Sequence, residues 1–225
     1  MAMIGKIIIL VLVIILLVVR TMKHIPGEIR YVAIGDSYTI GTSVDPKDSW
    51  PEVLTRDLND HGVKVRLVAN PARNGKATNE VISEQLPVFD QSSPDFATLL
   101  IGVNDFNRGY SKESFQKNLV AILDHMLAKL PKNRLVVITI PDFSVTPTGK
   151  TFGDPVGNSK GIAQFNEIIK TEAAKRNLPV VDVYKLSQQM ASDQSLVSSD
   201  QLHPSAKEYS LWEKLIFPIA FGLLK

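Results

Sequence analysis

Tyr31-Val32-Ala33-Ile34-Gly35-Asp36-Ser37-Tyr38-Thr39 is the stretch from which the rest of this chain can be read. Its first four residues are β-branched, aromatic or small and read as a buried strand. Gly35-Asp36-Ser37 then breaks the strand with turn chemistry. In open α/β sheets the carboxyl ends of the strands border the ligand crevice, so a serine placed there keeps a fixed backbone and an exposed hydroxyl, as a nucleophile requires. Taken alone, the tripeptide serves equally well as a helix cap or a turn.

Downstream, strands alternate with helices. Residues 63–69, 96–103, 134–140 and 178–183 read as four further strands. The 96–103 run is apolar but for Thr98, as a parallel strand covered on both faces requires. Helices are expected over residues 51–60, with Asp48 or Ser49 as cap and His61-Gly62 as stop, over 78–86, closed by Pro87, over 111–130 and over 158–176. Phe115, Leu119, Ile122, Leu123, Met126, Leu127 and Leu130 keep helical spacing, with His125 off the stripe and solvated. Ile162, Phe165, Ile168 and Ile169 do the same in the next helix. This alternation implies right-handed crossovers and a parallel, helix-covered sheet of five strands.

Residues 141–157, rich in Pro, Gly and Thr, are longer than an ordinary connection and are a candidate wall or lid of a pocket. Gly149-Lys150-Thr151 within them resembles the end of a phosphate-binding loop, but Ser144 stands where that motif needs glycine. In the last helix, Trp212, Leu215, Ile216, Ile219 and Phe221 form an apolar face interrupted by Pro218, which is read as packing against the sheet.

Near the carboxyl end stands Asp200-Gln201-Leu202-His203-Pro204. If this segment makes one turn, Asp200 can hold the His203 ring in one tautomer and the ring can take a proton from Ser37. Attack on an acyl carbon also creates an oxyanion that needs preorganised donors. The backbone N–H groups of Ser37 and Gly75 and the carboxamide of Asn104 are the candidates, because all three follow strands of the same sheet.

Gly35-Asp36-Ser37, Gly75 within Asn-Pro-Ala-Arg-Asn-Gly, Gly102-Val103-Asn104-Asp105 and Asp200-x-x-His203 resemble, in order, the four sequence blocks of the SGNH (GDSL) hydrolases. The resemblance covers about residues 29–224. It implies a three-layer α/β/α sandwich with a flavodoxin-like parallel sheet and no cofactor or metal. It also implies Ser37 as nucleophile, His203 as base and then acid, Asp200 as the orienting carboxylate, and Ser37, Gly75 and Asn104 as the oxyanion hole. Tyr38 departs from the family, whose name motif has leucine there. The implied activity is that of a serine esterase acting on an acyl lipid, a thioester or an O-acetyl sugar. An acyltransferase with the same triad and a non-catalytic tethered binding module are the alternatives.

The chain of 225 residues accommodates one α/β domain, residues 29–225, after an amino-terminal extension. A net charge of +2 without a basic stripe argues against nucleic acid as a partner. The absence of cysteine excludes disulfides, thiolate metal sites and a cysteine nucleophile. Residues 7–19 are an unbroken apolar run flanked by Lys6 and Arg20. As a helix it spans about 20 Å, or about 28 Å with the residues before it. With no A-x-A-like cleavage site following, residues 1–20 are read as a signal anchor, a cleaved signal peptide being the alternative. Residues 21–28, with an incidental His24, are a short linker to the bilayer. Arg20, Lys23 and Arg30 favour a cytoplasmic domain by the positive-inside rule, whereas the signal-like layout favours export, which is the side expected. Membrane proximity and the apolar tail favour lipids among the three ester classes.

Overall fold

Residues suited to burial on both faces make up the central strands, and their burial sets the sheet order. The computed structural model describes residues 27–225. The apolar helix expected over residues 1–20, most of the linker and His24 lie outside the described residues. Strands β1 (Ile29–Gly35), β2 (Val65–Ala69), β3 (Phe96–Leu100), β4 (Leu135–Ile138) and β5 (Val180–Val181) form one all-parallel sheet in the order β2-β1-β3-β4-β5. Every residue of β3 and β4 is buried, while the edge strands β2 and β5 are partly exposed. Thr98, the polar residue of β3, is satisfied by the Tyr31 hydroxyl of β1 at 2.7 Å. The strand order reverses between β1 and β3, which makes the carboxyl ends of those two strands the place for a ligand crevice.

The helices are α1 (Ser37–Ile40), α2 (Trp50–Asp60), α3 (Thr78–Glu80), α4 (Leu86–Ser92), α5 (Val103–Asn107), α6 (Lys112–Lys129), α7 (Pro155–Ala174), α8 (Tyr184–Ser187) and α9 (Ala206–Leu224). On one face α2 packs against α9; on the other lie α4, α6 and α7, giving the expected α/β/α layers. Trp50, Leu54 and Leu58 of α2 and Trp212, Ile216 and Ala220 of α9 are fully buried between that layer and the sheet. His125 meets Asp90 at 2.9 Å on the solvated side of α6, and Ser49 begins α2 without capping it, its hydroxyl turned to the Pro46 carbonyl.

Three local expectations are corrected. Pro87 does not close its helix, which continues to Ser92 through a π-turn, Val81–Gln85, where the Leu86 N–H reaches back to the Val81 carbonyl. The wider turn accommodates a ring that a regular α-helix would drive into the preceding carbonyl. The third strand stops at Leu100 rather than 103: Gly102, at φ +131°, turns the chain into α5, and a Cβ there would meet Ile140 and Phe115. The apolar face expected on the last helix is buried only in part: Pro218 lies within an unbroken α9, the carbonyl deprived of its partner belonging to exposed Lys214. Leu215 and Ile219 then stay 41% and 38% exposed beside the buried Trp212 and Ile216.

Helix α9 also buries Glu208. One oxygen accepts from Trp212 Nε1 at 2.8 Å and the other has no partner. Burial pushes its pKa up to about 7, the Trp212 bond opposing and the Asp193 charge adding to the shift. The folded chain then holds a proton that an unfolded glutamate releases above its ordinary range, so stability falls as pH rises toward 7. Glu208→Gln is expected to remove this dependence. The melting-temperature difference between variant and wild type should be more favourable to the variant at pH 8 than at pH 5 by a few degrees, at about 2–4 °C per kcal/mol. Equal differences at both pH values would show that Glu208 does not hold the proton.

Candidate active site

The turn that carries Ser37 is built by close approach. A Cβ on Gly35 would overlap Thr39 Oγ1 and the Leu100 carbonyl, so only glycine lets β1 pass into α1 this tightly. The Gln85 carboxamide clamps the same residue, accepting from Gly35 N at 3.1 Å and donating to Gly35 O at 2.7 Å. Asp36 caps α1, accepting from Tyr38 N at 3.0 Å, and burial pushes its pKa up to about 8. Ser37 is the first residue of α1, so its N–H lies outside the helical ladder and is free to act as a donor. Gly41, at φ +82°, ends the helix after one turn.

The second part is the turn at Asp200. Its Oδ1 accepts from Leu202 N and His203 N, each at 2.9 Å, and from Ser198 Oγ at 2.8 Å. Its Oδ2 accepts from His203 Nδ1 and from Ser43 Oγ, each at 2.6 Å. Burial works to raise the Asp200 pKa. The hydrogen bonds from Ser43, the His203 N–H and ring, and the Leu202 N–H outweigh it and hold the carboxyl well below its usual range. An ionised Asp200 fixes the proton of His203 on Nδ1 and leaves the Nε2 lone pair to act as a base. The Tyr38 ring packs beside the imidazole, centroids 5.5 Å apart.

The third part joins the loops that follow β2 and β3. Asn104 Nδ2 donates one hydrogen to the Lys76 carbonyl at 2.9 Å, which leaves its second hydrogen available. Asp105 accepts from the Thr78 N–H and hydroxyl. Arg108 donates to the Gly75 carbonyl at 2.6 Å and pairs with Glu80 at 2.8 Å. These bonds tie Gly75, at φ +75°, to the strand exit that carries Asn104.

All five predicted site residues border one cavity or its wall: Ser37, Gly75, Asn104 and His203 line a space of about 220 Å³, and Asp200 stands behind His203. Phe143 and Phe152, from the residue 141–157 loop, form part of its wall, as expected, with Phe152 47% exposed at the rim. Ser37 and His203 face this common space without a hydrogen bond between them, a contact that commonly tightens only in the Michaelis complex. Among the described residues no group of three His, Asp or Glu side chains is placed to hold a metal ion.

The family model described as "GDSL-like Lipase/Acylhydrolase family" matches residues 33–211. An uncharacterized protein of Mycoplasma pneumoniae is 32% identical over 137 residues, covering 56% of this chain and 16% of that protein. An arylesterase of Vibrio mimicus is 26% identical over 126 residues, covering 56% of this chain and 60% of that one. This chain therefore spans less than two thirds of the length of either relative. The crystal structure of a lipase/acylhydrolase from Enterococcus faecalis superposes with a TM-score of 0.68 at 25% identity, covering 87% of this chain and 97% of that one.

Two supporting residues escape a reading of the sequence. Ser43 lies in a polar turn that carries no signal of a distant partner. Gln85 does leave a trace, being a polar residue four positions after buried Val81 on the inward stripe of its helix. Gln85→Leu is expected to leave the Gly35 N–H and C=O unpaired and to cost about 2–4 kcal/mol in stability, read as a lower denaturation midpoint. An unchanged midpoint would show that the clamp contributes nothing.

Proposed function

Since the chain belongs to the GDSL-like lipase/acylhydrolase family, we propose that it is a serine esterase that forms and then hydrolyses an acyl-enzyme on Ser37. One observation carries the reading: segments after β1, β2 and β3 and before α9 meet at one cavity, with Asp200 and His203 joined at 2.6 Å on one side of it. In this scheme His203 Nε2 takes the Ser37 proton as Oγ attacks the ester carbonyl. The N–H groups of Ser37 and Gly75 and the free Asn104 hydrogen receive the oxyanion. His203 returns the proton to the leaving alcohol. Water, activated by the same ring, then attacks the acyl-enzyme, and Ser37 recovers its proton as the acid departs.

The cavity volume bears on the substrate. About 220 Å³ is below the usual range for sites that enclose drug-sized ligands, and the Phe143 and Phe152 rings stand in its wall. This supports a short acyl group held inside, with the alcohol portion leaving past Phe152 toward solvent. With p-nitrophenyl esters from acetyl to palmitoyl, kcat/KM is expected to be highest at the short end. Ser37→Ala should abolish turnover across the series with its far-UV spectrum unchanged. Residual wild-type activity in that variant would remove Ser37 from the mechanism, and a palmitoyl optimum would overturn the short-acyl reading.

We also place the domain outside the cytoplasm, tethered by the apolar run of residues 7–19. Among the described residues no helix is long and apolar enough to cross a membrane, so the tether rests on that run alone. A reporter active only in an extracytoplasmic compartment, fused to the carboxyl terminus, should be active; activity of a cytoplasm-only reporter there would reverse the orientation.

A further inference from the structure

We propose that Ser43 is a positioning residue for the Asp200–His203 pair, an inference that rests on the reading of His203 as the base. Asp200 accepts five hydrogen bonds. Four come from its own segment: the N–H groups of Leu202 and His203, the Ser198 hydroxyl and the His203 ring. The fifth comes from Ser43, 157 positions away, on the loop that leaves the one-turn helix of Ser37. It is the direct side-chain link between the nucleophile's loop and the carboxylate that aims the base.

Where that bond lands matters. Ser43 Oγ and His203 Nδ1 share Oδ2, each at 2.6 Å, while Oδ1 is occupied by the turn's own donors. Donors on both oxygens fix the rotation of the carboxylate about its last torsion, and that rotation sets the direction in which the imidazole is held. Among the described residues no lysine or arginine pairs with Asp200, so neutral donors and the His203 ring do this work.

The backbone at Ser43 argues that the hydroxyl is what the position requires. Its φ is +67°, in the left-handed region where a side chain is disfavoured and glycine is at ease. The residue is exposed, so it buries no apolar surface in return for that conformation.

Two substitutions in the full chain separate the hydroxyl from the backbone. Ser43→Gly suits the conformation and removes the donor, so the melting temperature should hold or rise while kcat for p-nitrophenyl acetate falls about tenfold, the size of one hydrogen bond to a charged group, with KM within about twofold. Ser43→Thr keeps the hydroxyl on a residue that tolerates positive φ poorly, so the melting temperature should fall while most of kcat returns. Wild-type kcat in Ser43→Gly, or a Ser43→Thr variant as slow as Ser43→Gly, would overturn the proposal. Ser37→Ala, assayed alongside, tells the two levels apart: if it stays active the esterase mechanism itself fails, and if it is dead while Ser43→Gly is normal only the positioning role fails.

Discussion

The tight passage from β1 into α1 at Gly35 is the constraint on which the rest of the site depends. Strand β1 is buried from Tyr31 to its end and lies between β2 and β3, so its direction is set by the sheet. At its end the backbone runs so close to Leu100 O and Thr39 that no side chain fits. Gln85 satisfies both polar groups of Gly35 from the neighbouring layer, so the turn is held by hydrogen bonds as well as by packing. The serine that follows inherits this rigidity. A side chain can present its hydroxyl in one direction only if the residues before it have nowhere else to go.

Around that fixed point two further assemblies close the cavity by different physics. The Gly75 and Asn104 loops are held to one another by charge-assisted bonds from Arg108 and by the buried Asp105–Thr78 contacts. The Asp200 turn is held by many donors on one carboxylate, most of them local, and Thr148 tethers it further by donating its N–H to the Gln201 carbonyl at 2.9 Å. Exposed salt bridges contribute little to stability, so the value of the Arg108–Glu80 pair lies in where it holds the Gly75 carbonyl. The buried carboxyls with raised pKa values, Asp36 and Glu208, show the cost of placing acids inside this framework without cationic partners.

Much of the architecture is legible in one dimension. Apolar runs with β-branched residues located all five strands, and the spacing of Phe115 to Leu130 and of Ile162 to Ile169 located the two long helices of one layer. Where these readings failed, tertiary packing overruled a local rule. Pro87 is a breaker on average, yet it sits beyond a π-turn and its helix runs on to Ser92. The strand ends moved because pairing with neighbours, rather than composition, decides where a ladder stops: β5 has two paired residues out of the six, 178–183, that read as a strand.

The sequence by itself determined the chemistry available to the site: one serine after a strand, an Asp and a His three apart, a glycine and a carboxamide at strand exits. These follow from residue type and from the rule that parallel strands present their carboxyl ends to one edge. Only the tertiary structure decided which groups share an oxygen, which loop supports which donor and how much space is left between them. Ser43 and Asp200 lie 157 positions apart, and Gln85 reaches Gly35 across 50. Contacts of that separation depend on how the helical layers settle on the sheet, which no local pattern of residues encodes.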